Sequence, residues 1–163
     1  MIQPKAIQSF VVHPVGIGTW LMGSGLYPDK ITHYAVYGNE QAEIEAIRYA
    51  LKVGQNHIDT AQIYGVGHTE EIVGAAIKDH QRSSLFLASK LWKSHIKKDS
   101  VVPAIEGMLE RLQTSYLDLV YIHAWWEEYE PIIATLGGLN AAVDKGLIRG
   151  IGVSNFSLEQ LQK

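Results

Sequence analysis

Four short apolar segments of this chain each carry a polar residue at or near their far end, and those residues recur at a nearly constant interval. HIDTA (57–61) carries Asp59, LFLASKLW (85–92) carries Lys90, LDLVYIHA (117–124) carries His123 and IRGIGVSN (148–155) carries Ser154. The steps between them are 31, 33 and 31 residues. Short apolar runs without clean alternation suit parallel strands covered on both faces. A parallel neighbour requires a crossover of a dozen residues or more, usually a helix, so a repeat of this length reads as right-handed strand–helix–strand units. Each unit then delivers one polar side chain to the same edge of one sheet.

Helical patterns fill the intervals. From Glu40, Ile44, Ile47 and Leu51 share a face, with Asn39 as N-cap and Gly54 as stop. Thr69-Glu70-Glu71 opens a second helix carrying Ile72, Val73, Ala76 and Ile77, its acids suited to the first-turn dipole. A third, from about Asp99, buries Val101, Ile105, Met108, Leu109 and Leu112. A fourth carries Ile132, Ile133, Leu136, Leu139 and Val143 and stops at Gly146. With GIGTW (16–20) the chain has five strands. Three more units would bring it to about 256 residues, near the ~250 of an eight-stranded barrel. Ser157 and Gln160 have the spacing of a capping box, which starts a helix close to Lys163. The expected fold is α/β: a (β/α)8 TIM barrel, here an incomplete barrel of about five βα units, truncated after the fifth strand, with residues 1–163 as the N-terminal part of a single domain.

Composition narrows the function classes. Of 163 residues, 47% are apolar, enough for a core. The net charge is -3, with Lys and Arg spread along the chain, so no nucleic-acid partner is expected. There is no cysteine, which excludes a disulfide framework and thiolate metal sites. The opening MIQPKAIQSFVVHP has no signal-peptide pattern, and no run approaches the ~18 apolar residues of a membrane span. No membrane partner and a cytoplasmic location are the expectation. The seven histidines lack metal-ligand spacing, so no metal is expected. Gly65-Val66-Gly67 lacks the third glycine of a dinucleotide fingerprint.

Asp59, Tyr64, Lys90 and His123 form a chemically coherent set. A phenol ionises near pH ~10, so alone it is a poor acid at neutrality. A nearby ammonium such as that of Lys90 favours the phenolate, and a carboxylate such as Asp59 keeps the ammonium charged. Tyr64 then suits proton delivery to a developing alkoxide, and a histidine beside it suits orientation of a carbonyl oxygen. The set suits carbonyl reduction, in which a cofactor must supply the hydride.

Those residues carry a resemblance. GQNHIDTAQIYGVGHTEEIVGAAI (54–77) resembles the first signature of the aldo-keto reductases, and SKLW (89–92), YIHAWW (121–126) and GVSNF (152–156) resemble their later landmarks, in order and spacing. The Gly-Val-Gly-His insertion after Tyr64 looks more like bacterial members. The resemblance implies a reductase of aldehydes and ketones using NADPH, less often NADH. Tyr64 would donate the proton, Lys90 and Asp59 would tune it, and His123 would orient the small-molecule carbonyl substrate. Asp59 would also touch the nicotinamide ribose, Ser154 and Asn155 would bind the carboxamide, and Thr19 would line the cofactor pocket. Trp20, Trp92 and Trp125 would wall the substrate pocket. The family binds the adenosine phosphates on loops after later strands, so a lone chain of this length is expected to be inactive.

Structural roles stand beside these. Asp59 and Lys90 also fit a buried ion pair, Tyr64 and His123 a packed core, the tryptophans likewise, and Ser154 and Asn155 a helix cap. A non-catalytic, cofactor-sensing subunit of the same family, or an inactive half-barrel, would keep the same residues; turnover separates these from an enzyme. An open five-stranded sheet would leave its first and fifth strands as bare edges and expose inward-facing apolar residues. The expectation is association with another copy or with a missing C-terminal half.

Overall fold

The computed structural model describes residues 5–7, 10–23, 39–126 and 132–162. Strands β1 (Lys5–Ile7) and β2 (Phe10–Val12) form an antiparallel hairpin. There follow β3 (Ile17–Gly18), α1 (Glu40–Lys52), β4 (His57–Asp59), α2 (His68–Ile77), β5 (Phe86–Leu91), α3 (Lys98–Arg111), β6 (Leu119–Ile122), α4 (Ile132–Asp144), β7 (Ile151–Val153) and α5 (Leu158–Leu161). The five strands β3 to β7 lie in chain order in one sheet, and every pair is parallel. This is the succession that the repeat predicts. Most of the Gly- and Pro-containing stretch before Asn39 lies outside the described residues.

Local chemistry starts and stops the helices as expected. The Asn39 side chain accepts from the Ala42 N–H at 3.2 Å, capping α1. Gly54 and Gly146 leave α1 and α4 with φ of 96° and 72°, the left-handed region that glycine enters at least cost. Ser157 and Gln160 form the reciprocal capping box of α5. Each satisfies backbone groups that a helix end leaves orphaned.

The sheet has two covered faces. Toward the helices, Ile58, Leu87, Leu91, Val120 and Ile122 pack with Ile47, Ile72, Ile105, Met108 and Leu139 in the main core. On the concave face, Val12, Phe86 and Ala88 form a second cluster, joined by half-buried Leu119 and Tyr121. Gly152 of β7 makes room for the Tyr121 ring, since a Cβ there would stand 2.7 Å from it.

The hairpin closes the sheet's N-terminal end. Asn56, just before β4, accepts the His13 N–H at 2.7 Å and donates to the Val11 carbonyl at 3.1 Å. At that end Asp118 is buried and accepts from the Leu87 N–H at 2.9 Å and from Arg82 at 2.7 Å, with Arg149 at 3.3 Å. Both guanidinium groups stack on the Tyr116 ring, each 3.8 Å from its centre.

Two details depart from the sequence pattern. On α4, Ile133 is 76% exposed, and the buried residues are Thr135, Gly138, Leu139 and Ala142. Gly138 explains the phase of the helix: a Cβ there would lie 2.7 Å from the Lys98 carbonyl oxygen and from Val101, so close approach to α3 turns the small residue inward. On α2, Glu70 stands in the first turn as the pattern predicts, but it is also fully buried and pairs with Arg111, which the pattern does not show.

Candidate active site

Parallel strands in register bring their C-terminal ends to one edge, and that edge collects the polar residues. Thr19 follows β3, Asp59 ends β4, Lys90 is the penultimate residue of β5, and His123 and Ser154 directly follow β6 and β7. Tyr64 opens the 3-10 turn between β4 and α2.

Lys90 is the centre of the arrangement. Its ammonium pairs with Asp59 Oδ1 and donates to the Thr60 carbonyl oxygen at 2.9 Å. The Lys90 side chain is only 8% exposed, whereas that of Asp59 is 43% exposed and lines a cleft. A buried ammonium remains charged only with such partners. The Lys90 Nζ lies 5.1 Å from the centre of the Tyr64 ring, over its face. His123 meets the same ring edge-on at 5.8 Å. The tetrad is thus one contiguous cluster.

Electrostatics distinguish its members. Burial, and secondarily the Lys90 ammonium, push His123 down to about 4 against the opposing pull of Asp59, so its imidazole is neutral near pH ~7. His123 Nδ1 is buried and meets no hydrogen-bond partner among the described residues. Burial, then the Asp59 carboxylate, raise Tyr121 on the adjoining concave face. Burial also lowers His57 beneath it.

A cleft of about 450 Å³ opens beside Tyr64, lined by Gly18, Thr19, Trp20, Leu21, Met22 and Asp59. The buried Thr19 hydroxyl donates to the Asp59 carbonyl oxygen at 3.0 Å, so this residue fixes the β4 end from within. Trp20 is 59% exposed and stacks parallel to Tyr64 at 6.4 Å. Trp92 meets His123 edge-on at 5.2 Å. Trp125 packs on Phe156 at 5.3 Å. Its neighbour Trp126, which is not among the residues the sequence singles out, packs on Trp92 at 5.3 Å. The Thr60 carbonyl and the Gln62 side chain, which accepts from the Trp92 N–H at 3.2 Å, are also not among them. A backbone acceptor has no sequence signal, whereas a second tryptophan beside the first was a usable one.

Ser154 and Asn155 stand at the rim of the same edge. Asn155 has a left-handed φ of 56° and donates from Nδ2 to the His123 carbonyl oxygen at 2.9 Å and to Ser154 Oγ at 3.1 Å. These bonds leave the Asn155 Oδ1 acceptor and the Ser154 hydroxyl proton, the complement of a primary carboxamide. The donor set therefore fits the nicotinamide end of a dinucleotide. Among the described residues, no group of three or more His, Asp or Glu gathers as a metal site.

Comparison with known proteins agrees with the geometry. Aldo-keto reductase YhdN of Bacillus subtilis is 40% identical over 156 residues, covering 90% of this chain and 44% of its own. The glyoxal reductase of the same organism is 40% identical over 128 residues, covering 77% of this chain and 44% of its own. A thermostable aldo-keto reductase crystallised with the inhibitor epalrestat matches with a TM-score of 0.86 at 40% identity, over 98% of this chain and 56% of that one. An aldo/keto reductase from Klebsiella pneumoniae in complex with NADP and acetate matches with a TM-score of 0.81 at 34% identity, over 95% of this chain and 50% of that one. The chain spans about half the length of these relatives. With the sheet order, the clustered tetrad and a family model matching residues 14–163 in agreement, the chain belongs to the aldo/keto reductase family.

Proposed function

We propose that this chain carries the proton-handling half of an NAD(P)H-dependent reduction of aldehydes and ketones. The observation that carries the reading is the buried Lys90 ammonium, held by Asp59 and Thr60 against the face of Tyr64, with His123 at the ring edge. When bound, the nicotinamide supplies a hydride to the carbonyl carbon. The Tyr64 hydroxyl gives its proton to the carbonyl oxygen, which becomes the alcohol oxygen as the C=O double bond becomes single. Lys90 stabilises the phenolate left behind, and Asp59 stabilises Lys90. Neutral His123 donates one N–H to the carbonyl oxygen and orients it, a role its lowered pKa supports. Asp59, supported by Thr19, would hold the nicotinamide ribose, and Ser154 and Asn155 would hold the carboxamide. Trp20, Trp92 and Trp125 exclude water around the small-molecule carbonyl substrate.

Relatives named glyoxal reductase and methylglyoxal reductase make small dicarbonyls the first substrates to test. The assay follows oxidation of NADPH, and of NADH in parallel. It compares the 163-residue chain with a chimera adding the remaining strands of the 40%-identical Bacillus subtilis relative. Turnover is expected in the chimera and below detection in the 163-residue chain, where contacts to the rest of the dinucleotide are missing. Tyr64→Phe is expected to lower kcat in the chimera by about 100-fold or more. Undiminished turnover by that variant overturns the reading.

A further inference from the structure

The segment that carries Tyr64 is strained and tightly bolted. Gly65, Val66 and Gly67 all have positive φ, at 54°, 56° and 97°. Val66 is β-branched, so a left-handed conformation is costly there and persists only where neighbours over-determine it. The bolts are visible. A Cβ at Gly65 would stand 2.6 Å from the Gly23 carbonyl oxygen, and one at Gly67 would stand 2.9 Å from Arg111 Nε. Thr69, fully buried, donates to the Met22 carbonyl oxygen at 2.7 Å and ties the start of α2 to the cleft wall.

Behind this loop lies a buried polar group that the proposed chemistry does not use. Glu70 is 0% exposed, six residues after Tyr64. Its Oε1 accepts from the Ser89 hydroxyl at 2.7 Å, and its Oε2 from Arg111 Nε at 2.8 Å. Arg111 Nη2 lies 2.7 Å from the same oxygen, an ionic contact without hydrogen-bond alignment. Ser89 is itself 0% exposed and immediately precedes Lys90 on β5. One carboxylate therefore joins the helix start that anchors Tyr64 to the strand residue beside Lys90, while Arg111 joins both to the end of α3. Burial pushes Glu70 above the usual carboxylate range, and Arg111 and Ser89 offset only part of that.

We infer that Glu70, Ser89 and Arg111 are positioning residues that set the Tyr64 loop against Lys90 at the distance proton delivery needs. The inference rests on the reading of Tyr64 as proton donor, and two separate measurements keep the two apart. The first is NMR of the chain with ring-labelled tyrosine, the Tyr64 signal being assigned through Tyr64→Phe. In Glu70→Gln the Tyr64 signal is expected to move or split, with a smaller effect in Ser89→Ala. Tyr116, between Arg82 and Arg149 at the other end of the sheet, should stay in place, a contrast that general destabilisation does not produce. Where Glu70→Gln fails to fold by circular dichroism, Ser89→Ala and Arg111→Lys carry the measurement. The second measurement is kinetic, on the chimera described above. Glu70→Gln is expected to lower kcat about 100-fold, the scale of a misplacement of about 1 Å, with KM within about threefold. A Tyr64 signal unchanged in every folded variant overturns the positioning role even if turnover is normal. A Tyr64 signal that moves while no wild-type turnover exists upholds the positioning role and removes the proton-donor reading.

Discussion

Asp59 and Lys90 form one ion pair but face different media, with the carboxylate open to the cleft and the ammonium enclosed. A buried pair is weak evidence of stability, so the role proposed for this one is its effect on the Tyr64 ring beside it. Asp118, at the opposite end of the sheet, is the contrast. It is buried between Arg82, Arg149 and the Leu87 N–H, and the cavity it lines with Arg149 and Asn56 lies at the end of the sheet away from Lys90. Asp118→Ala is therefore expected to destabilise the fold by about 3 kcal/mol, because two guanidinium groups lose their carboxylate partner and the Leu87 N–H its acceptor. Urea unfolding measures this, and a loss below about 1 kcal/mol contradicts it. His123 adds a pH dependence. Its folded-state pKa of about 4 lies below the 6.5 of a free histidine, so between those values the unfolded chain binds more protons. Stability therefore falls as pH drops through that window, and His57 and His95, also lowered, act in the same direction. His68, raised by Glu71 and Glu40, works the other way, so the useful comparison is between wild type and His123→Asn. The urea midpoint is expected to fall between pH about 7 and about 5, and less steeply in His123→Asn. An equal slope in both proteins removes the assignment.

At the scale of elements, features decided by neighbours in sequence were legible and those decided by packing were not. Asn39 and the Ser157–Gln160 pair cap helices through bonds spanning three residues, so their spacing sufficed. The β1–β2 hairpin has no local sequence signal, because three-residue strands are too short for a periodic pattern and its anchor is Asn56, 43 residues from His13. The apolar face of α4 was misleading for a related reason: Gly138 seats the helix on α3, and Ile133 is left outside. Gly138→Ala should force a Cβ against the Lys98 carbonyl and cost about 1–3 kcal/mol. Val66→Gly should have the opposite sign, raising stability by up to about 1 kcal/mol as the left-handed strain is released. Thermal denaturation of both variants tests the pair, and a destabilised Val66→Gly contradicts the strain argument.

For the whole molecule, the decisive fact is that the parallel sheet among the described residues has five strands, with β3 and β7 at its edges. The concave side is well covered at its centre, where Phe86 and Ala88 are buried with Val12, but Leu119 and Tyr121 are only half-buried and β7 is half-buried throughout. Unpaired edges beside partly covered apolar surface favour pairing with another chain. The 163-residue chain is expected to show a weight-average mass above its 18.1 kDa, rising with concentration, in light scattering. A constant 18.1 kDa across the range rejects that expectation.

The amino-acid sequence by itself determined the strand–helix alternation, the edge on which Asp59, Lys90, His123 and Ser154 emerge, and the helix caps. All of these follow from spacing along the chain and from hydrogen bonds within a turn. Tertiary structure alone decided that Glu70 is buried with Ser89 and Arg111, that Thr60 holds Lys90 through its backbone, and that Trp92 and Trp126, with His123, build one wall. Those contacts join residues 19 to 41 positions apart, or backbone atoms that every residue shares, so no local pattern encodes them.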